Sequence, residues 1–404
     1  MTAPEARPRL LWPSSDREAR LELDRVGSDA VWCGPSGPPP RSGRPGETTE
    51  GIVALFLPEP VAGVLRQSLP QPGVGAIGDA ERGMIACGRI DRLITWLEEA
   101  GSKAGDALRA LRYGAGLDVP QVWKFAGGDL SLSGGTHLMA IINATPDSFH
   151  AGSRVETPDE IRAALDRAAQ GGADLIDIGG ESTRPGAEPL TAEIEIERVR
   201  GVIEEAVRRT SLPVSIDTTR SEVASAALDA GAVIVNDISG GLDDPGMIPL
   251  VAGREAGLVL MHRQGVSASM QDDPRYDDLI GEIHGFLSSR ADFAVAAGVL
   301  PDRIVIDPGL GFGKRRQHNF EIYRRMAEFH SIGYPLLVGP SRKRHTSGPA
   351  DRPAGERLLG TASACAILAW HGAQIIRVHD VAEMRLALET LDEMRGAVTE
   401  DRVS

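Results

Sequence analysis

The 404-residue sequence predicts an α/β protein, with a (β/α)8 TIM barrel over residues 136–395 preceded by a small α/β accessory domain. Three observations predict it. From residue 136 onward, short apolar runs alternate with amphipathic helical stretches, giving eight βα units. The runs are nearly continuous in apolar character, as parallel strands covered on both faces are. Almost every run ends in a polar residue, and strand C-termini are where such a barrel carries its site. Periodicity alone does not prove closure, so a doubly wound sheet is the alternative.

In chain order, residues 1–130 form the accessory domain. Residues 34–50, Gly-Pro-Ser-Gly-Pro-Pro-Pro-Arg-Ser-Gly-Arg-Pro-Gly-Glu-Thr-Thr-Glu, read as a flexible loop because Pro and Gly interrupt regular structure. Ile52–Leu57 and Gly83–Cys87 suit strands and residues 59–69 a short helix. Arg89–Ala100 sets Ile90, Leu93, Ile94 and Leu97 on one helical face. No chemical motif stands in this part, and Gly127-Gly128 to Gly134-Gly135 reads as the junction. The barrel strands are expected at Leu138–Asn143, Asp174–Ile178, Val214–Asp217, Val233–Asn236, Leu258–His262, Ile304–Asp307, Leu336–Val338 and Ile375–Val378. Helices are expected at Pro158–Gln170, Ala192–Arg209, Ser221–Asp229, Asp277–Ala297, Asn319–Phe329, Gly355–Trp370 and Ala382–Met394. Residues 396–404 read as a polar tail.

Composition limits the function. Forty-three basic against 57 acidic residues give a net charge of −14. That field repels nucleic acid and anionic membrane, so neither is an expected partner. Residues 1–130 hold 15 basic and 17 acidic residues, a net −2, and the other 274 hold 28 and 40, a net −12. An anionic substrate must therefore be met by a local basic cluster. Cys33, Cys87 and Cys365 form no CxxC, which argues against a disulfide framework or a zinc site. No signal-peptide pattern and no run of ~18 apolar residues is present, so the expected compartment is the cytoplasm.

The polar strand ends divide by chemistry. Asp217, Asn236 and Asp307 offer acceptors and an amide, suited to a flat heterocycle with adjacent N–H donors. Lys343, Arg377 and His379 are donors suited to an anion. Other motifs fail. Gly309-Leu310-Gly311-Phe312-Gly313-Lys314 has Pro308 where a phosphate loop needs Gly, and it is not GxGxxG. HExxH and GxSxG are absent. Lys314-Arg315-Arg316 and Arg342-Lys343-Arg344 read as solvated basic runs, with Lys343 set apart by its place after a strand.

Taken in order, these segments resemble one family. Asn143-Ala144-Thr145-Pro146-Asp147-Ser148-Phe149 resembles the first signature of dihydropteroate synthases, and Asp177-Ile178-Gly179-Gly180-Glu181-Ser182-Thr183-Arg184-Pro185-Gly186 the second. Ser215–Thr218, Asn236–Gly241, Leu260–His262, Asp307–Lys314, Ser341–Lys343 and Ile376–Val381 follow in the family's order. The resemblance covers residues 136–395. It implies a transferase of folate biosynthesis, a sulfonamide target, that condenses 7,8-dihydropterin-6-ylmethyl diphosphate with 4-aminobenzoate to dihydropteroate and diphosphate. Carried over by position, Asp217, Asn236, Asp307 and Lys343 would hold the pterin, with Arg377 stacked on it. Arg377 and His379 would bind the diphosphate, and Asn143 would help place Mg²⁺ there. Thr183, Arg184, Pro185, Phe312, Ser341 and Lys343 would frame the 4-aminobenzoate pocket, so the catalytic set would be Asn143, Thr183, Arg184, Lys343, Arg377 and His379. A homodimer is implied as well.

The implied mechanism agrees with the residues. Charge growing on diphosphate needs Mg²⁺ and Arg/His donors, and Asp177 with the pterin-facing carboxylates would favour a cation at the exocyclic methylene. This is dissociative alkyl transfer. The arylamine needs no strong base, in keeping with the lack of a Ser/His/Asp arrangement. Departures from the family occur at His150-Ala151-Gly152-Ser153, where Ser-Asp-Gly-Gly is usual, and at Pro340 and Arg263. A methyl transferase on the same barrel would not need Lys343, Arg377 and His379 as an anion site. A non-catalytic pterin binder would not need Asn143, Thr183, Arg184 and His379.

Overall fold

The computed structural model describes residues 7–11, 16–25, 52–59, 61–65, 74–79, 83–115, 117–118, 120–144, 158–181, 190–265 and 270–395. The loop at 34–50 and the tail at 396–404 lie outside them. The chain divides into two units. The first is Met1–Pro120 with Asp278–Ser288 and Glu321–Tyr334, and the second is Gln121–Asp277, Ser289–Phe320 and Pro335–Ser404.

The first unit holds β1 (Arg9–Leu11), α1 (Asp16–Arg25), β2 (Ile52–Leu57), α2 (Val61–Leu65), β3 (Val74–Asp79), β4 (Gly83–Arg89), α3 (Ile90–Glu99) and α4 (Gly105–Gly114). The strands pair antiparallel in the order β1-β2-β4-β3. β2 shows why this sequence makes a sheet covered on both faces. Val53, Leu55 and Leu57 enter one core with Leu93, Trp96 and Leu111, while Ala54 and Phe56 enter a second with Leu11, Leu23 and Ile85. That is the two-residue period of a strand. A buried ionic cluster lies in the same unit. Arg9 reaches Glu22 at 2.9 Å and Asp278 at 3.3 Å, and Arg325 bonds Glu328 at 2.7 Å and also Glu22.

The second unit starts with a hairpin, β5 (Val122–Phe125) and β6 (Gly128–Ser131), turned at Gly127 with φ 76°. Then come β7 (His137–Asn143), α5 (Pro158–Gln170), β8 (Leu175–Gly179), α6 (Ala192–Arg209), β9 (Val214–Asp217), α7 (Ser221–Asp229), β10 (Ile234–Asp237), α8 (Met247–Gly253), β11 (Gly257–Met261), α9 (Leu279–Ala296), β12 (Ile304–Asp307), α10 (Arg316–Arg325), β13 (Leu337–Val338), α11 (Leu358–Trp370), β14 (Ile375–Val378) and α12 (Val381–Met394). α9 and α10 each run across the division between the units.

The eight strands β7–β14 are parallel, and an Ile306–Leu336 bridge joins β12 to the β13 side. The sheet is therefore a barrel rather than an open doubly wound sheet. The hairpin, which the sequence pattern presents only as a glycine-rich junction, plugs its floor. Trp123 and Phe125 pack edge to face at 6.2 Å among Met139, Leu175, Ile234, Val259, Val305, Leu337 and Ile375. Trp123 Nε1 donates to the Arg303 carbonyl at 2.9 Å. Gly257 lies under this plug: a Cβ there would stand 3.2 Å from Phe125 Cβ. α12 is tied back to the start of β7, because the Thr136 N–H donates to Asp392 at 2.8 Å. α8 gives no amphipathic signal, since it is seven residues long and contains Pro249.

Candidate active site

Above the floor, inward positions turn polar. Asp177, Asp217, Asn236, Asp307 and Arg377 occupy β8, β9, β10, β12 and β14, near the strands' C-terminal ends. The register sets their levels: Asp217 is opposite Asn236, while Asp177 is one step deeper, opposite Ser215. Asp177 is completely buried. Its Oδ2 accepts from Arg377 Nε at 2.6 Å and from Asn236 Nδ2 at 3.1 Å. The other tine of the fork, Arg377 Nη2, donates to Asp217 Oδ2 at 2.7 Å. One guanidinium thus bridges two carboxylates, and the Asn236 amide is turned so that its Oδ1 is left as an acceptor.

The charge states follow from this crowding. Burial pushes the Asp217 carboxyl up to about 7, opposed by Arg377 and helped by Asp177. Burial also raises Asp307, whose Oδ1 accepts the Gly309 N–H at 2.7 Å. Lys343 is pressed down to about 8 by burial, against the pull of Asp307. Its Nζ bonds the Leu310 carbonyl and stands 4.3 Å over the centre of the Phe312 ring. Gly309 sits at φ +70°, and a Cβ there would meet the His262 carbonyl oxygen at 1.9 Å, so only glycine allows the turn.

The residues expected to meet an anion lie between the β13 loop and the end of β14. The His379 N–H donates to Ser341 Oγ at 3.2 Å, and the same hydroxyl lies 2.9 Å from His379 Nδ1. The hydroxyl thus holds the imidazole with its Nδ1 edge toward Oγ. Between Ser341 and Lys343, Arg342 takes φ 57°, unusual for a non-glycine residue. Its guanidinium is gripped by Asp380 and its carbonyl accepts from Arg357 at 2.8 Å, which holds the bend. Asn143 ends β7 opposite Gly179. Thr183, Arg184, Pro185 and the altered first loop lie outside the described residues.

Two side chains carry more than the sequence suggests. Lys314 is buried (3% exposed), so this part of the basic run is not a solvated face. Burial also presses its ammonium well below the lysine range. Arg220 bonds Glu181 at 2.7 Å, Glu195, and the Leu190 carbonyl at 2.9 Å. The signal for Lys314 was present in its position, directly after a glycine turn at a strand end. Arg220 had none beyond standing next to α7.

The pterin binding enzyme family matches residues 139–379. The chain is 44% identical over 261 residues to a dihydropteroate synthase of Synechocystis, covering 64% of this chain and 90% of that one. The chain belongs to the dihydropteroate synthase family. Its reaction is that of the family, a transferase step that condenses 7,8-dihydropterin-6-ylmethyl diphosphate with 4-aminobenzoate to give dihydropteroate and diphosphate. Solved structures agree. The Yersinia pestis synthase with a sulfonamide drug complex is 38% identical, with a TM-score of 0.66, covering 68% of this chain and all of that one. The Xanthomonas albilineans synthase with 4-aminobenzoic acid is 40% identical, with a TM-score of 0.63, covering 70% of this chain and all of that one. No described helix is long and apolar enough to cross a membrane.

Proposed function

We propose that the pterin lies among Asp217, Asn236, Asp307 and Lys343 with Arg377 stacked on it, and that Arg377 and His379 receive the diphosphate. The observation that carries this reading is the Arg377 fork, bonded to Asp177 through Nε and to Asp217 through Nη2. Asp217 is the acceptor for paired pterin N–H groups, so the entering ring competes for the oxygen that Nη2 holds. Nε stays on Asp177 while Nη2 is released toward the anion side. Ring binding and anion binding are thereby coupled through one side chain.

The reaction is dissociative. The C–O bond to diphosphate breaks, the pterin methylene carries the positive charge, and the 4-aminobenzoate nitrogen forms the new C–N bond before losing its proton. Carboxylates at Asp177, Asp217 and Asp307 favour that cation, and His379 and Arg377 meet the charge on the leaving group. Mg²⁺ on the diphosphate would supply further neutralisation. Asn143 offers a hard amide oxygen, which fits a metal that needs only one or two protein oxygens besides phosphate. Phe312, Ser341 and Lys343, with Thr183, Arg184 and Pro185, frame the 4-aminobenzoate pocket; that acid in the Xanthomonas albilineans relative supports the reading.

We further propose a homodimer, supported by exposed Leu359, Ile367 and Trp370 on α11 and Leu386 and Met394 on α12. A cytoplasmic location is supported by the buried free thiol of Cys365. The first unit is proposed as an accessory domain to the catalytic barrel, whose floor the hairpin at 122–131 completes. The test of the site is Asp217→Asn. An amide presents one donor where the pterin needs an acceptor, a mismatch costing ~1–3 kcal/mol. Calorimetry should show weakened pterin binding with diphosphate binding little changed; unchanged pterin affinity refutes the assignment.

A further inference from the structure

The segment between β12 and α10 is held by side chains at successive carbonyls. Leu310 O accepts from Lys343 Nζ, Gly311 O from Gln271, Phe312 O from Lys314 Nζ at 3.0 Å, and Gly313 O from the Tyr276 hydroxyl at 2.8 Å. The Gly311 N–H donates to Asn319 Oδ1 at 2.7 Å. At the hub, Lys314 Nζ has two further acceptors, His262 Nδ1 at 2.9 Å and the His262 carbonyl at 3.3 Å. Three acceptors match the three protons of an ammonium. They come from the ends of two strands, His262 after β11 and Phe312 after β12, so this side chain fixes one loop against the other.

We infer that Lys314 is a positioning residue for the second substrate: it pins the Phe312 and His262 carbonyls so that the Phe312 ring stands under Lys343 as one wall of the 4-aminobenzoate pocket. The inference rests on the assignment of Phe312 proposed above. Lys314 itself is buried and bonded to protein, so it acts through Phe312 and not on the reacting atoms. Asp307 and the pterin side of the site keep their own anchor in the Gly309 N–H. Loss of Lys314 therefore falls on 4-aminobenzoate more than on the pterin, which feels it only through the lost charge near Asp307.

The experiment is steady-state kinetics on Lys314→Met, Phe312→Leu and the double variant, with pterin affinity measured by calorimetry. Lys314→Met keeps the chain length and removes all three donors. It should raise KM for 4-aminobenzoate at least about tenfold, leaving kcat and the pterin Kd within about threefold. The double variant should be no worse than the more damaging single one, since both changes act through one ring. Lys314→Gln, which keeps an N–H donor, should fall between wild type and Lys314→Met, and it carries the test if the methionine variant fails to fold. If Phe312→Leu leaves KM for 4-aminobenzoate unchanged, the pocket assignment fails and takes the inference with it. If Phe312→Leu raises that KM but Lys314→Met does not, or the two effects multiply, or pterin affinity falls equally, the inference alone is overturned.

Discussion

Asp177→Asn changes one charge at the deepest polar level of the site and almost nothing of its shape. Both protein donors use the same oxygen, Oδ2, while Oδ1 is buried without a hydrogen-bond partner. An asparagine can set its oxygen where Oδ2 is and its NH₂ where Oδ1 is, so Arg377 and Asn236 keep their acceptor. Two effects remain. A charge-assisted bond to Arg377 becomes a neutral one, a loss of about 1–2 kcal/mol. Asp217 also loses a like-charged neighbour. Two carboxylates gripping one guanidinium fork stand on the order of 5 Å apart, where they repel by about 3 kcal/mol at an effective dielectric of ~20. Partial exposure and the guanidinium between them reduce that to about one pH unit of effect on Asp217.

The assay is kcat/KM for the pterin diphosphate against pH. On the proposed assignment Asp217 must be ionised to accept the pterin donors, so in the wild type the acid limb should fall near 7. In Asp177→Asn the plateau should drop about tenfold while the limb moves to lower pH by roughly one unit. The two changes have opposite senses, which separates them from general damage. An acid limb that stays in place, or moves upward, refutes the claim that Asp177 controls Asp217 through charge.

The wild-type kcat/KM profile should be bell-shaped, rising as Asp217 ionises through about 7 and falling as Lys343 deprotonates through about 8; Lys343→Met should abolish the alkaline limb. His379→Ala should slow single-turnover C–O cleavage about 100-fold, on the order of 3 kcal/mol, without weakening binding of pterin alone, and cleavage at the wild-type rate would show His379 to be structural. Trp123→Ala should destabilise the barrel by about 3–5 kcal/mol in thermal melts while kcat at 25 °C changes less than about threefold, because the plug lies at the end opposite the site. A large fall in kcat with an unchanged melt would contradict that separation.

The barrel was legible because the sequence punctuates it. Val214–Asp217, Ile304–Asp307 and Ile375–Val378 are strands with the expected bounds, and the others shift by only a residue or so. Polar strand ends were legible for the same reason: Asp217, Asn236, Asp307 and Arg377 sit where apolar runs stop. The hairpin β5–β6 was not, since its turn glycines read as linker and Trp123 is paired with a strand of only four residues. Lys314 was marked only by its place after the glycine turn, since three consecutive basic residues look alike in a sequence although one is buried and Arg315 is exposed. Nor does the chain order show that Asp278–Ser288 and Glu321–Tyr334 group with the first 120 residues. That grouping follows from Arg325, Glu328 and Asp278 facing Arg9 and Glu22, pairs hundreds of residues apart.

The pattern of pairing explains how a chain with a net charge of −14 can receive an anionic substrate. Three carboxylates converge in the barrel mouth, and none can be left bare in so dry a site. Each has a partner suited to its task. Asp177 and Asp217 share one guanidinium, and Asp307 has the Gly309 N–H with the buried charges of Lys343 and Lys314 nearby. Arg377, shared by two of them, is also the residue proposed to stand where the pterin and the diphosphate meet. On the proposed assignment, releasing the second tine from Asp217 as the ring enters would cost little, because the pterin N–H groups would replace it on that oxygen. The positive charge that this assignment offers to the diphosphate would thus come from within a nearly neutral cluster. The long-range field still opposes approach, so the site relies on short, fixed donors rather than on electrostatic attraction from afar. That is the arrangement a charge-separating step needs, because donors already oriented by Asp177 and Ser341 need no rearrangement as the C–O bond breaks.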